Sequence, residues 1–253
     1  MYNQDPFVAA DGTARRLRGV AVVTGSPKIA EMAGRLGFEA VWIEVEHGGA
    51  SYSEVEALCM AATAGGAVPC VRIPSGDREH VLRALEAGAR LVIVPMINDA
   101  DMARALVRHG KFAPLGERGF NTRSRGLHYG LNGMDKLRET FDDANASTHL
   151  ICQIETREAV ENCAAICAVP GISGVLVGPG DLSVSLGITG QFTHPLLLST
   201  VESVMATART ASKHAGILVA PGPLLEAAYA SGCDLAFVGG DINDLARTWR
   251  ALL

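Results

Sequence analysis

Two carboxylates in the sequence follow short apolar runs, and the ends of parallel strands would bring them together. Glu155 follows residues 150–154, and Asp181 follows residues 174–177 after a Gly-Pro-Gly turn. Two carboxylates on neighbouring strand ends can hold a hard divalent cation and leave positions open for water and substrate. Each acid could instead cap the helix that follows it, and that structural role is the alternative.

A second group of ionisable residues follows the apolar run 40–45. His47 lies beside Glu44 and Glu46, and a histidine next to carboxylates at a strand end is typical of a general base. Arg72 closes a separate apolar run. Because a buried guanidinium without an anion costs several kcal/mol, we expect Arg72 to meet Glu44, Glu46 or an anionic substrate. A purely internal ion pair is the alternative.

Two glycine-containing segments could contact a ligand. Residues 178–183 offer backbone N–H groups and a helix start that could receive a carboxylate, although they could also form a plain turn. Residues 111–133 have no clear period, and a stretch of that length is typical of a lid or binding loop. Within it, Arg118 and Arg123 would face either a substrate or solvent.

Other titratable residues are expected to be structural. His80, His109 and His214 fall in helical patterns and are predicted to lie at the surface. Cys163 and Cys167 stand four apart on a predicted helix, but no second Cys or His pair follows them, which argues against a structural zinc site. All six cysteines are expected to be thiols.

Eight short apolar runs supply the scaffold that would bring these residues together. Strand–helix alternation indicates parallel βαβ units, and eight repeats predict a closed (β/α)8 TIM barrel with its site at the C-terminal strand ends. Helices are expected to open at Ser26, Ser53 and Asp77. An open doubly wound sheet is the alternative, but residues 24–27 lack its glycine-rich phosphate turn. The predicted strands are residues 20–24, 40–45, 68–73, 91–94, 150–154, 174–177, 217–220 and 235–238.

Length and charge narrow the class of protein. The 253 residues fit one barrel domain, residues 1–253. A formal net charge of −5, without clustered Lys or Arg, argues against nucleic-acid binding. No apolar run reaches the roughly 18 residues of a membrane span, and no signal-peptide pattern opens the chain, so a cytoplasmic protein without membrane contact is expected.

In combination and order, these motifs resemble the HpcH/HpaI aldolase family, the class II pyruvate aldolases, distantly related to the citrate lyase β subunit. The resemblance runs from about Val20 to the C-terminus and implies a TIM barrel of the phosphoenolpyruvate/pyruvate type. It is carried by the motifs at residues 43–47, 71–72, 87–89, 94–96, 116–119, 153–156 and 178–183.

The resemblance implies a role for each candidate. Glu155 and Asp181 would hold Mg2+, Mn2+ or Co2+, and His47, partnered by Glu44, would act as a base through a water. Arg72 would steady a pyruvate enolate. The residues expected to contact the substrate are Gln153, Gly178, Pro179, Gly180, Asp181 and Arg118.

The implied reaction is reversible cleavage of a 4-hydroxy-2-oxo acid into pyruvate and an aldehyde. Condensation of oxaloacetate with acetyl-CoA, as in citrate-forming relatives, is the alternative, and a non-catalytic barrel is a third. The resemblance also implies a homo-oligomer, a trimer or hexamer, with the C-terminal helix in the contacts. Substrate specificity is expected to depend on residues 111–133. Glu44 and Glu86 depart from the family's usual Asp, and the extra methylene bears on how His47 is oriented.

Overall fold

The computed structural model describes residues 5–253, and its eight parallel strands close into a barrel in sequence order. This arrangement confirms the predicted (β/α)8 barrel and excludes the open sheet. Among the described residues, no helix is both long and apolar enough to cross a membrane. The cytoplasmic location stays a prediction. The strands are β1 (Leu17–Val22), β2 (Ala40–Glu44), β3 (Val68–Arg72), β4 (Leu91–Val94), β5 (His149–Ile154), β6 (Gly174–Val177), β7 (His214–Leu218) and β8 (Leu235–Gly240).

Helices follow the strands and cover the outside of the barrel, as the alternating pattern predicts. One short 3-10 helix, Arg125–Gly130, lies within the long aperiodic segment 111–133, and a second, Met134–Lys136, follows it. The α-helices are α1 (Pro27–Arg35), α2 (Tyr52–Gly65), α3 (Arg78–Ala87), α4 (Ala100–Gly110), α5 (Leu137–Ser147), α6 (Arg157–Glu161), α7 (Cys163–Cys167), α8 (Pro179–Ser185), α9 (Pro195–Thr210), α10 (Pro223–Ala230) and α11 (Asp241–Arg250).

The start of one helix differs from the prediction. Helix α2 is capped by Ser51 rather than Ser53. The Ser51 hydroxyl accepts a hydrogen bond from the Glu54 N–H, and the Glu54 carboxylate accepts one from the Ser51 N–H at 2.7 Å. This reciprocal capping box satisfies two backbone donors at once. The sequence offers the same Ser-x-x-Glu pattern at Ser53 and Glu56, two residues later. Ser26 and Asp77 precede α1 and α3 as predicted.

Two strands begin three residues earlier than predicted, because a polar residue and a glycine near the start of each interrupt its apolar pattern. Strand β1 begins at Leu17 rather than Val20, and β7 begins at His214 rather than Ile217. The prediction of His214 as a helical surface residue is therefore wrong. Its Nδ1 lies 2.6 Å from Asp234 Oδ2, an acid that immediately precedes β8, so a charged partner holds it at the strand start.

Strand alternation decides which side chains enter the barrel. On β2, Ala40 and Trp42 belong to the apolar cluster inside the barrel, whereas Val41 and Ile43 pack with the helices outside. Glu44 continues the inward phase at the C-terminal end of the same strand. The interior cluster consists of Phe7, Leu17, Ala21, Ala40, Trp42, Cys70, Leu91, Ile93, Ile151, Leu176, Leu235 and Phe237. These residues fill the barrel beneath its polar mouth.

The aperiodic segment 111–133 is anchored at the opposite, N-terminal end of the barrel. The buried Lys111 ammonium donates to the backbone carbonyls of Asn145 (2.7 Å) and Thr148 (2.5 Å), directly before β5. Burial, together with the nearby Arg118, lowers the pKa of Lys111 to about 8. The segment thus starts far along the barrel axis from the C-terminal strand ends.

Residues near the N-terminus close that same end of the barrel. Phe7 is buried and stacks on the His214 ring at 3.5 Å between centroids, with the His149 ring edge-on at 5.2 Å. Asp5 Oδ1 lies 3.1 Å from His149 Nε2. Burial lowers the pKa of His149, although Asp5 opposes that shift.

We expect the free energy of unfolding to fall as the pH drops from 7 through 6.5. His149 binds a proton less readily in the folded than in the unfolded chain, so acid favours unfolding. The contact with His149 lowers the pKa of Asp5 to about 2. Asp5 is therefore charged in both the folded and the unfolded chain in this pH range, and it does not contribute to the pH dependence of the free energy of unfolding. Urea denaturation at pH 7.5 and 5.5 measures the effect. His149→Gln should reduce the pH dependence, and an unchanged dependence would contradict this account.

Candidate active site

The candidate residues converge at the C-terminal end of the barrel, on its inward side. Glu44 and Arg72 are paired in the register of β2 and β3, so their side chains leave neighbouring strand ends side by side. Gln153 and Glu155 continue the inward phase of β5, in which Ile151 lies inside the barrel. The alternation of side chains along each strand and the closure of the barrel therefore bring polar groups from separate parts of the chain to one end.

Arg72 is held between two carboxylates. Its side chain is only 11% exposed, with Nη2 2.6 Å from Glu44 Oε2 and Nη1 2.8 Å from Glu46 Oε2. Its Nε donates to the same Glu44 oxygen at 2.8 Å. The predicted meeting of Arg72 with Glu44 or Glu46 is confirmed for both acids. The guanidinium has five N–H groups and the contacts with the two acids do not use all of them, so N–H groups remain for a substrate oxygen.

Glu44 accepts hydrogen bonds from three different residues. Besides Arg72, it accepts the Trp42 indole N–H at 2.9 Å and the His47 backbone N–H at 3.0 Å. Burial raises the pKa of Glu44, but the hydrogen bonds and charge of Arg72 outweigh it and hold the pKa below its ordinary value. Glu44 therefore stays ionised at neutral pH.

The His47 ring contacts a different acid from the one expected. Glu44 binds the His47 main chain, whereas the ring Nε2 lies 3.8 Å from Glu46 Oε2. The imidazole is 67% exposed at the barrel mouth, where solvent can reach it. Burial raises the pKa of Glu46, and the charges of Glu44 and Asp181 add to that effect against Arg72. The predicted pairing of Glu44 with the imidazole is thus corrected to Glu46.

Glu155 is fixed by two donors at the end of β5. Only 2% of this residue is exposed; Oε1 accepts the Met96 backbone N–H at 2.8 Å, and Oε2 accepts from the Gln153 side-chain amide. Met96 has a left-handed backbone (φ 56°), a conformation that costs free energy and aims its N–H at the acid. Sequence reasoning missed this contribution, because residue type gives no sign of a left-handed methionine.

Gly178 is required by close packing against this acid. A Cβ atom at that position would lie 2.7 Å from Glu155 Oε2 and 2.8 Å from Gln153 Nε2. The glycine therefore serves more than a turn. Asp181 follows in the first turn of α8 and is exposed.

Neither carboxylate serves as the N-cap of the helix that follows it. Thr156 caps α6, its hydroxyl accepting the Ala159 N–H at 3.0 Å, and Gly178 occupies the cap position of α8. The alternative structural role for Glu155 and Asp181 is therefore wrong. Glu155 is buried at the end of β5, and Asp181 is exposed in the first turn of α8.

The electrostatics around these acids suit a cation. Burial raises the pKa of Glu155, and the negative charges of Asp181 and Glu46 raise it further. The Gln153 carbonyl oxygen is buried without a hydrogen-bond partner. Within residues 5–253, no group of three or more His, Cys, Asp or Glu side chains could hold a metal. A cation bound by Glu155 and Asp181 would therefore keep most of its positions for water and substrate.

Some predicted residues lie elsewhere. The Arg118 side chain is buried over the Phe112 ring, with its Cζ 4.6 Å from the ring centroid. The backbone N–H of Arg118 donates to the backbone carbonyl of Lys111. It therefore stands near the N-terminal end of the barrel, and the structure does not bring it to the other site residues. Burial lowers the pKa of Arg118 to about 10. Arg123 is exposed to solvent.

The remaining histidines and cysteines have structural contacts. His80 and His109 lie in α3 and α4, but both are half-buried; their Nδ1 atoms lie 2.8 Å from the Tyr52 hydroxyl and 3.0 Å from the Gly76 carbonyl. Cys163 and Cys167 are buried thiols close enough to hydrogen-bond with each other.

Asp241 is a further site residue that sequence reasoning missed. It follows β8 and is buried, and its carboxylate accepts the backbone N–H groups of Val23 and Thr24, each at 3.0 Å. It thereby fixes the loop after β1 at the rim of the site. The signal was present, since a Gly-Gly-Asp sequence at a strand end resembles the Gly-Pro-Gly-Asp that led to Asp181.

Comparison with known proteins places this geometry among aldolases. The chain is 32% identical over 223 residues to a hydroxypyruvate/pyruvate aldolase from Roseobacter denitrificans, covering 88% of this chain and 86% of the relative. It is 33% identical over 224 residues to a 4-hydroxy-2-oxo-heptane-1,7-dioate aldolase from Salmonella paratyphi C, covering 88% and 83%.

A solved structure and a family model agree with these relatives. A HpcH/HpaI aldolase/citrate lyase family protein from Burkholderia cenocepacia superposes with a TM-score of 0.86 at 30% identity, covering 94% of this chain and 93% of that one. The model of the HpcH/HpaI aldolase/citrate lyase family matches residues 19–245. The protein therefore belongs to the HpcH/HpaI aldolase/citrate lyase family.

Proposed function

We propose that this protein is a divalent-metal-dependent aldolase that reversibly cleaves a 4-hydroxy-2-oxo acid into pyruvate and an aldehyde. The observation that carries the proposal is the buried Arg72, pinned by Glu44 and Glu46 at the barrel end that also holds Glu155. Its remaining N–H groups would meet charge that develops on an enolate oxygen. The aldolase names of the relatives support the same class of reaction.

In this proposal, Glu155 and Asp181 would hold Mg2+, Mn2+ or Co2+. When bound, such a cation supplies Lewis acidity to a 2-oxo acid. The buried Gln153 side-chain oxygen lacks a hydrogen-bond partner and would contact the substrate. Backbone N–H groups at residues 178–181 would receive the substrate carboxylate. The ligand class is thus a small 2-oxo acid together with an aldehyde.

In the proposed reaction, His47 acts as the general base. Its exposed ring would take the proton of the 4-hydroxyl group through a water, and Glu46, 3.8 Å away, would stabilise the imidazolium that forms. Arg72 would stabilise negative charge as the C3–C4 bond breaks and the enolate forms. Returning a proton to the enolate carbon completes pyruvate.

Exchange of the pyruvate methyl protons in D2O tests the enolate chemistry directly. We expect metal-loaded protein to deuterate the methyl group, as followed by NMR, and EDTA to abolish the exchange. Glu155→Gln removes one charge without changing shape, so it should lose both exchange and tight metal binding by calorimetry. Glu158→Gln, an exposed acid on α6, is the matched control and should behave as wild type.

Folded, metal-bound protein without exchange would contradict the proposal. Consumption of acetyl-CoA with oxaloacetate would then support the citrate-forming alternative. His47→Ala should slow aldol cleavage more than it weakens metal binding, because His47 is not a proposed ligand.

Replacing Arg72 should remove the stabilisation of the enolate. We expect Arg72→Ala to lower kcat/KM for cleavage by on the order of 100- to 1,000-fold, the typical effect of losing one preorganised donor. Because this change also leaves two acids without their partner, Arg72→Lys provides a variant that keeps the charge but loses the bidentate geometry. Arg83→Ala on α3 is the exposed control. Wild-type kinetics in both Arg72 variants would rule out the assigned role.

We also propose that the protein is a homo-oligomer, a trimer or hexamer, with α11 in the contacts. The helix and the residues after it carry a row of exposed apolar side chains at helical spacing, namely Ile242, Leu245, Trp249 and Leu252. Such a row is unfavourable in water and favours contact with another apolar surface.

Light scattering on the purified protein tests this assembly. Leu245→Glu should lower the measured mass, since it places a charge in the apolar row. Asn243→Glu, which lies outside the row on the same helix, should leave the mass unchanged. A monomeric wild-type protein would contradict the proposed assembly.

A further inference from the structure

Trp42 lies directly beneath the charged pair of the site. It precedes Glu44 by two residues on β2, so both side chains point into the barrel, and it is 1% exposed. Its neighbour in the register of β3 is the small Cys70, two residues before Arg72. The indole therefore occupies the layer below Glu44 and Arg72.

The indole contacts both members of the pair. Its Nε1–H donates to Glu44 Oε2 at 2.9 Å, the same oxygen that accepts Arg72 Nε at 2.8 Å. The Arg72 Cζ atom lies 5.2 Å from the centroid of the Trp42 ring, within the range of a cation–π contact. One side chain thus restrains the acid by a hydrogen bond and the guanidinium by its ring.

A glutamate at position 44 needs such a restraint. Its side chain has one more rotatable bond than an aspartate, so holding the carboxylate in one position costs more conformational entropy. Arg72 alone cannot fix it, because the guanidinium is itself long and flexible. A rigid indole donor approaching from below fixes the carboxylate oxygen to which Arg72 binds.

The position of the Trp42 indole is fixed by close packing with residues of β8 and β1. Phe237 on β8 meets the Trp42 ring edge-on, with centroids 4.9 Å apart. Phe237 in turn occupies space left by Gly19 on β1, where a Cβ atom would lie 2.6 Å from Phe237 Cδ1. Contacts from β1 and β8 therefore determine where the indole N–H points.

We propose that Trp42 is a positioning residue that fixes the orientation of Arg72, both through Glu44 and through its own ring. This inference rests on the proposed aldolase function, in which Arg72 stabilises the enolate. Because the enolate charge develops in the transition state, misorientation of Arg72 should lower kcat more than it raises KM.

The kinetic test uses a Trp249→Phe background. The sequence has two tryptophans, so this change leaves Trp42 as the remaining one. Trp42→Phe keeps a ring but removes the N–H, and we expect kcat for pyruvate methyl exchange to fall roughly 10-fold with KM within about twofold. In the pH profile of kcat, the acid limb that comes from protonation of Glu44 should move to higher pH. The reason is that the charged form of the Glu44 carboxylate loses a hydrogen-bond donor. A merely structural role would not move that limb.

A fluorescence measurement tests the contact without any activity. In the Trp249→Phe protein, Glu44→Gln should change the Trp42 emission, because the charge that accepts the indole N–H disappears. Glu31→Gln, an exposed acid on α1, is the matched control and should leave the emission unchanged. Phe237→Leu provides a second kinetic variant that loosens the indole from its far edge, and it should lower kcat with KM preserved.

Two results would overturn the inference. One is full kcat with an unmoved pH profile in Trp42→Phe or, if that variant does not fold, full kcat in Phe237→Leu. The other is Trp42 emission that does not respond to Glu44→Gln. If the Trp249→Phe parent itself shows no metal-dependent exchange, the aldolase function fails on its own, and the emission of Trp42 then decides whether the positioning contact exists.

Discussion

The burial of one guanidinium governs the arrangement of the site. Arg72 is removed from most of its water, and the free energy of that desolvation is recovered only if anions surround it. Glu44 and Glu46 provide two, from the strand end and the loop that follows it. Burial raises the pKa of Glu46, and the Glu44 charge adds to that effect, whereas the hydrogen bonds and charge of Arg72 hold the pKa of Glu44 below its ordinary value. Two acids only two residues apart therefore have pKa values shifted in opposite directions.

Much of this site could be predicted from the sequence, because strand periodicity fixes which side chains share a face. Once the apolar runs are assigned to a closed barrel, Glu44, Arg72 and Glu155 must meet at one end. The need for an anion near Arg72 follows from its position alone. These inferences depend on local pattern and on one topological fact, and both are visible in the chain.

Other parts of the site depend on contacts between distant residues, and the sequence alone could not place them. The N–H that fixes Glu155 comes from Met96, whose left-handed backbone is imposed by its surroundings rather than by its residue type. The His47 ring lies near Glu46 because Glu44 is already occupied by Arg72 and Trp42. Arg118 was expected near the substrate, but burial of Lys111 against the start of β5 directs that segment away.

The position of Lys111 separates the contacts that hold the start of residues 111–133 from the residues proposed to react. Residues 111–133 begin at Lys111, on the end opposite Glu155, so the hydrogen bonds that anchor the start of this segment involve none of the reacting groups. Conversely, the strand ends can exchange residues without altering how this segment is held. A substitution at the Lys111 anchor would therefore act on the stability of the barrel's N-terminal end, and one at Glu155 on the reacting groups, without either passing through the other's hydrogen bonds.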